Sequence, residues 1–354
     1  MKRALCLGLL SLTLLGACRT IQPETKEQGD PYARYVWPPP PDTPRIRLAT
    51  ILTGRGDVEA SSRWQRALLG ASPHSPYDFL RKPFACDYDA QGRLWVTDPA
   101  LHALLRFDRR GRRYDVFGTT GSLALKTPLG LCLDSKGAVY VADAGLGKVV
   151  VFSPEGELLR AFGRPGELVN PTDAAVAPSG DKLFVTDSKA HQLVVFDLAS
   201  GNKVATLGKR GEAEGEFNFP SALAFAPSGH LLVVDQVNAR VQILDAEGEV
   251  VDVLGGRGVG FGNFVRPKDV AVDRQGRIYV TDAAFNNVQI FDGELRLLTF
   301  VGETGSQPGQ FRIASGVATW GDEFAVVDQL GRRVQVFRYL PGAGEQSPPG
   351  KNSP

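Results

Sequence analysis

The chain of 354 residues is 43% apolar and 22% charged, a balance that suits a soluble globular protein with a sizeable core. Basic side chains number 40 against 39 acidic ones, which excludes the strongly basic footprint of a nucleic-acid-binding domain. Helix-period patterning is scarce, while 40 glycines and 24 prolines punctuate the sequence at regular intervals, so an all-β fold is expected.

Lys2 and Arg3 open the chain, and Ala4 to Leu15 is an apolar run too short to span a bilayer stably. It ends Leu15-Gly16-Ala17-Cys18. These four residues resemble the bacterial lipobox. The resemblance implies removal of residues 1–17 as a signal peptide, a diacylglyceryl thioether on Cys18 and an acyl group on its amine. Each buried methylene contributes about 0.8 kcal/mol, so two or three chains hold a protein on a membrane durably. Arg19 stands where a retention signal would have Asp, so the same resemblance implies the outer membrane of a cell envelope. Residues 18–44 follow as a tether. Pro38-Pro39-Pro40-Pro41 within it favours extended polyproline II, a semi-rigid spacer between lipid and domain. With Cys6 removed and Cys18 lipidated, Cys86 and Cys132 remain. They occupy non-equivalent positions of neighbouring repeats and are expected to be buried thiols packing as small hydrophobes.

From residue 82 the sequence repeats itself. Phe219 to Gly255 holds four short apolar runs, Ala222–Ala226, Leu231–Val234, Val241–Leu244 and Val250–Leu254, separated by turn residues, which reads as a four-stranded antiparallel meander. Five relatives run Lys82–Gly118, Thr127–Gly163, Asn170–Gly208, Arg266–Gly302 and Phe311–Tyr339. An Asp ends the second strand of every unit: Asp98, Asp143, Asp187, Asp235, Asp282 and Asp328. Successive intervals are 45, 44, 48, 47 and 46 residues. A period in the forties with four strands per unit is the signature of a β-propeller.

The third strands NARVQIL (Asn238–Leu244), NNVQIF (Asn286–Phe291) and RRVQVF (Arg332–Phe337), with Pro-x-Asp-Val-Ala-Val before one unit and a Gly-rich PGQF loop, resemble NHL repeats. The sixth unit lacks a fourth strand, whereas residues 45–54, before the first unit, read like the outer strands elsewhere. They are expected to close blade six from outside, because an open ring would leave unpaired backbone on two blades. The expected architecture is thus a six-bladed propeller over residues 45–340, with a disordered tail at 341–354. An insertion at 56–82 is expected on the face shared by the loops from strand four to strand one and from strand two to strand three. Ser61 or Ser62 can cap a short helix there, Arg63 to Leu69, which includes Trp64. The helix either covers the channel mouth or packs on blades six and one.

An Asp repeated in every blade is expected to serve the shared turn, accepting backbone N–H groups. Function should lie where the repeats differ. The residues two after the proline (or its equivalent) of strand one are Ala85, Gly130, Asp173, Ala222, Asp269 and Gly316, expected to ring the channel mouth. Sugar lactonases and the amidating lyase, which the architecture resembles, gather carboxylates, Asn or His on a metal there. By that resemblance Asp173 and Asp269 are the candidate ligands for Ca²⁺ or Zn²⁺. His102 and His191 share one register and are expected to be turn residues. His74 and His230 lie elsewhere, so no three-His zinc site assembles. Gly255 to Gly262 is Gly-rich but opens no helix, so it is not a dinucleotide loop. The loops between strands two and three of blades four to six present Gln236, Asn238, Arg240, Phe285, Asn286, Asn287, Gln329, Arg332 and Arg333, with Arg266 and Lys268 nearby. A polar, basic face with an exposed aromatic suits a protein or peptide partner bearing an acidic patch. The expected function is a monomeric, membrane-anchored, non-catalytic binding or assembly scaffold without cofactor or nucleic acid. The alternative is a metal-dependent hydrolase or lyase at the channel mouth.

Overall fold

In the computed structural model, residues 30–59 and 75–341 are described. The segment expected as a signal peptide, Cys18, the first part of the expected tether, the helix expected at Arg63–Leu69, His74 and nearly all of the expected tail lie outside the described residues. No helix among the described residues is long and apolar enough to cross a membrane.

Six four-stranded antiparallel sheets form the blades of a propeller. Blade four shows the pattern: Pro220–Phe225, Leu231–Asp235, Arg240–Leu244 and Val250–Leu254 pair in chain order. Its second strand is buried at every residue, whereas the fourth is open to solvent along most of its length and buried only at Leu254. That contrast follows from position. A middle strand lies between two neighbouring blades and reads as a continuous apolar run, while the rim strand has one wet face. The core is accordingly laid down between blades, each cluster joining residues of adjacent sheets. Where a fourth strand ends, the chain needs a left-handed residue, and Gly255 supplies it at φ 76°. A Cβ there would stand 2.4 Å from the ring of Phe264, itself fully buried, so the Gly and the Phe nine residues on are one packing unit.

Ile46–Leu52 pairs with Arg333–Tyr339 and completes blade six, with Ile46 opposite Tyr339, Leu48 opposite Phe337 and Leu52 opposite Val334. The ring is closed by the N-terminal strand. A fifth strand, Val36–Trp37, lies outside it. Trp37 meets Phe337 edge-on at 5.3 Å between ring centroids, and Tyr32 and Tyr35 join the same core. The segment expected to act as a spacer as far as residue 44 is therefore docked from Tyr32 onward. Burying three aromatics outweighs the extended preference of the prolines beside them.

Of the insertion, both ends are described. A turn of 3-10 helix at Arg55–Asp57 bonds back to Thr53 and Gly54, and Gly54 bridges Phe79. Glu59 accepts the Tyr114 amide at 3.0 Å, and the Arg55 guanidinium lies over the Tyr114 ring. Both ends thus pack on the outer strand of blade one (Arg113–Phe117).

Candidate functional site at the channel mouth

The six strand-end Asp side chains are fully buried. Their carboxylates reach past their own turns to the two residues that precede strand one of the same blade. Asp98 accepts the amides of Arg81 and Lys82, Asp143 those of Lys126 and Thr127, and Asp187 those of Val169 and Asn170. Asp235 takes Asn218, Asp282 takes Val265 and Arg266, and Asp328 takes Arg312 and Ile313. Charge-assisted bonds of this kind fix the loop that borders the channel. Four residues after each Asp comes a left-handed residue: His102, Gly147, His191, Ala239, Asn286 and Arg332. The two histidines are turn residues in this sense, and the His191 ring accepts the Phe219 amide of the next blade.

Strand one of each blade lines a central cavity of about 290 Å³. Ala85, Gly130, Asp173, Ala222 and Asp269 all border it, while Gly316 packs against the backbone of Ala85 and Cys86. Asp87, two residues further down blade one, joins them. Each carboxylate bridges to the next blade. Asp173 accepts the Leu223 amide and Asp269 the Val317 amide, both at 2.8 Å, and Asp87 takes its own neighbour Tyr88 at 2.7 Å and the Leu133 amide. A Cβ on Gly130 would fall 2.0 Å from Asp173 Oδ1, which is why blade two has glycine where blade three has Asp. Cys86 and Cys132 are unbridged and both border the cavity; Cys86 is buried, and Cys132, packed against the core between blades two and three, is half-buried.

Burial, then the nearby Asp269 charge, holds the Asp173 carboxyl well above the usual range. Asp269 is raised by burial against the opposing pull of the Val317 amide, and burial pushes Asp87 up to about 7. Burial and the neighbouring Arg266 lower Lys268, whose ammonium reaches over blade six to the Phe84 ring at 5.6 Å. The folded state therefore keeps protons on the three carboxyls Asp87, Asp173 and Asp269 that the unfolded chain has released, whereas Lys268 titrates in the opposite sense and at higher pH. Stability from the three carboxyls is complete below the ordinary carboxylate range and declines as pH rises through about 7. Melting temperature is expected to fall between pH 5 and about 7.5, and Asp87→Asn to flatten that slope; an equal slope in both proteins would refute it.

The eleven residues expected to meet a partner divide. The Arg240 guanidinium bonds Asp235, Ala213 O and Glu216 O, and Arg333 bonds Asp328, Ser306 O, Gln307 O and Gln310 O. Asn238 bonds Asp235 and Gly211 O, while Asn286, Asn287 and Gln329 are buried. Phe285 is half-buried, not exposed, and Gln236 likewise. Arg266 and Arg332 are exposed, and Lys268 is half-buried over Phe84. Long polar side chains in these loops turn inward because loop carbonyls need donors. Gln242, Gln289 and Gln335 of the VQI and VQV strands do the same, each clamping the Gly-rich loop that enters its blade.

What sequence reasoning missed is the rim. Across six blades the two positions before strand one carry Arg81, Lys82, Lys126, Arg266 and Arg312 and no carboxylate. All five side chains are exposed, and their backbone amides are those held by the buried Asp ladder. The signal was available as a column of cations just before the strand-one proline or, in blade six, before Ala314. Among the described residues, no three of His, Cys, Asp and Glu come together as a group able to hold a metal ion.

A family model of the NHL repeat matches residues 264–291, which cover the first three strands of blade five. The peptidyl-glycine alpha-amidating monooxygenase of Mus musculus is 24% identical over 165 residues, 45% of this chain and 13% of that protein's length. A virginiamycin B lyase from Staphylococcus aureus, solved with quinupristin, superposes with a TM-score of 0.55 at 12% identity, over 76% of this chain and 83% of that one. A gluconolactonase from Xanthomonas campestris gives 0.56 at 18% identity, over 83% and 98%. At such identities the likeness to both structures is one of fold.

Proposed function

Starting from a six-bladed propeller that carries an NHL repeat, we propose that this protein is a lipid-anchored, non-catalytic binding scaffold of the bacterial cell envelope, most simply at the outer membrane, whose channel-mouth rim docks an acidic segment of another envelope protein or peptide. One observation carries this: five exposed cations on four of six clamped loops, with no acidic residue at these positions in any of the six. Pre-positioned charge raises the encounter rate with an acidic partner and costs little ordering entropy on binding. The monomeric ring leaves this face open to it.

The metal-dependent alternative fits the donors poorly. Ca²⁺ takes six to eight oxygens, yet both Asp269 oxygens already accept backbone amides and Asp173 spends one on Leu223. The raised proton affinity of both carboxyls runs against the charged form that a metal needs.

The test is crosslinking in intact cells followed by pull-down through the C-terminal tail, comparing the natural protein with Lys82→Glu/Lys126→Glu/Arg312→Glu. At least one partner is expected to fall about tenfold or more, as the loss of a few interfacial charge pairs predicts. Equal recovery of every partner would sink the rim as a docking site. Cys18→Ser, run alongside, is expected to move the protein out of the detergent phase on phase partition, which tests the anchor separately.

A further inference from the structure

Blades four, five and six are each entered by a long Gly-rich loop closed by the same parallel bridge: Arg210 with Phe217, Arg257 with Phe264, Thr304 with Phe311. In blades four and six an arginine at the start of strand three fills the space beneath that loop. The Arg240 side chain is 14% exposed and pairs with Asp235 at 2.9 Å; Arg333 is 12% exposed and pairs with Asp328 at 2.9 Å. Their guanidinium groups then satisfy the same two loop carbonyls, Ala213 and Glu216 in blade four, Gln307 and Gln310 in blade six. Each of those carbonyls also accepts one bond from within the protein.

Blade five has the loop, the glutamine clamp and the Asp, but not the arginine. Asn287 pairs with Asp282 in the register where Arg240 pairs with Asp235 and Arg333 with Asp328. Its side chain is too short to reach the loop. Gly260 O accepts only the Asn263 amide, and Asn263 O only the Gln289 side chain, so each has one bond where its counterparts have two. Asp282 accepts four backbone amides and no guanidinium. Asn287 is 8% exposed, and its Oδ1 is buried without a partner. An orphaned acceptor of this kind is rare in native proteins. Two loop carbonyls and the Asn287 Oδ1 thus lack the donor that an arginine supplies in blades four and six, beside the Asp282 carboxylate.

A second observation lies on the same loop. Val259 is 85% exposed and Phe261 71%, and the Phe261 ring stacks on Phe300 at 4.9 Å. The corresponding stretches of blades four and six, GEAEGEF and TGSQPGQF, carry no such apolar pair. An exposed aromatic stack beside a cluster of unsatisfied acceptors asks for a ligand with a cation next to apolar groups.

We propose that blade five takes an arginine side chain from a partner polypeptide into the place filled in cis by Arg240 and Arg333, with Asp282, Gly260 O, Asn263 O and Asn287 Oδ1 as its acceptors, and with an apolar neighbour of that arginine lying on Phe261 and Val259. The planar fork of a guanidinium meets two carbonyls and a carboxylate together, which an ammonium cannot. The site takes the opposite charge to the rim partner, although its Asp282 also holds the backbone of the rim residue Arg266.

Two measurements on the full chain decide it. Asn287→Arg restores the missing donor in cis, so its melting temperature is expected to rise by a few degrees; a fall would overturn the proposal by showing no such space. Calorimetric titration with acetyl-Ala-Arg-Leu-Leu-amide is expected to give saturable binding, at least tenfold weaker for the Gln-containing peptide, several-fold weaker in Phe261→Ala and lost in Asn287→Arg. Absence of peptide binding, or unchanged binding in Asn287→Arg, would overturn it. Free arginine amide binding as tightly as the peptide would overturn the assignment to a polypeptide, because the aromatic pair would then contribute nothing.

Discussion

Leu48→Asp is expected to abolish cooperative unfolding altogether. Leu48 is fully buried on the closing strand, opposite Phe337, and its side chain sits in the core shared by blades five and six. Truncating such a leucine to Ala costs about 2–5 kcal/mol, and placing an unpaired carboxylate there costs more. A whole domain is stable by only about 5–15 kcal/mol. The loss is not confined to one blade, because without Ile46–Leu52 the Arg333–Tyr339 strand keeps an unpaired edge and blades six and one lose their shared packing. Thermal melts followed by circular dichroism should show no transition for Leu48→Asp and a near-normal one for Thr50→Ser on the same strand. A normal melt for Leu48→Asp would mean that the ring closes by other means.

Asp328→Ala is expected to destabilise more than Asp282→Ala, although the two occupy the same position of neighbouring blades. Asp328 accepts three backbone amides and the Arg333 Nε, so removing it leaves a nearly buried guanidinium without its counter-charge, a loss of about 3–5 kcal/mol. Asp282 serves amides only, and orphaning those costs about 1–3 kcal/mol. Urea midpoints of the two variants give the difference directly, and equal losses would show that the guanidinium pair adds nothing.

The repeat was legible because its punctuation is mechanical. An Asp that must cap backbone amides, a Gly that must turn left and a Leu or Phe that must fill the space above it recur at intervals in the forties whatever lies between them. Closure was legible for the same reason: Arg45 to Gly54 has the pattern of an outer strand and the sixth unit lacks one. The strand at Val36–Trp37 was not, since four prolines beside it advertise an extended spacer and only the three-dimensional neighbour Phe337 tells Trp37 where to go. The candidate site was half legible. Asp173 and Asp269 were placed on the channel by counting from a proline, but Asp87 sits two residues off that count and breaks the column. Arg240 and Arg333 looked like surface groups because sequence gives a side chain's charge and not its direction; the loops they serve have carbonyls to satisfy, and the guanidinium groups point there. Arg81, Lys82, Lys126 and Arg312 went unnoticed as a set because they fall at the edges of the repeating stretches, Arg81 and Lys126 just outside them and Lys82 and Arg312 within their first two residues.

The pairing of Ile46 with Tyr339 also sets a timetable for maturation. The strand made among the first must wait for the strand made among the last, so no hydrogen bond between them can form until almost the whole chain is available. Contacts of such long sequence separation are the slowest to form. Blades one to five can assemble as synthesis proceeds, but the seam between the two ends is sealed in a single late event. A polypeptide interrupted anywhere before Val334 therefore holds its outermost blades ajar, with bare strand edges open to any neighbour of similar shape.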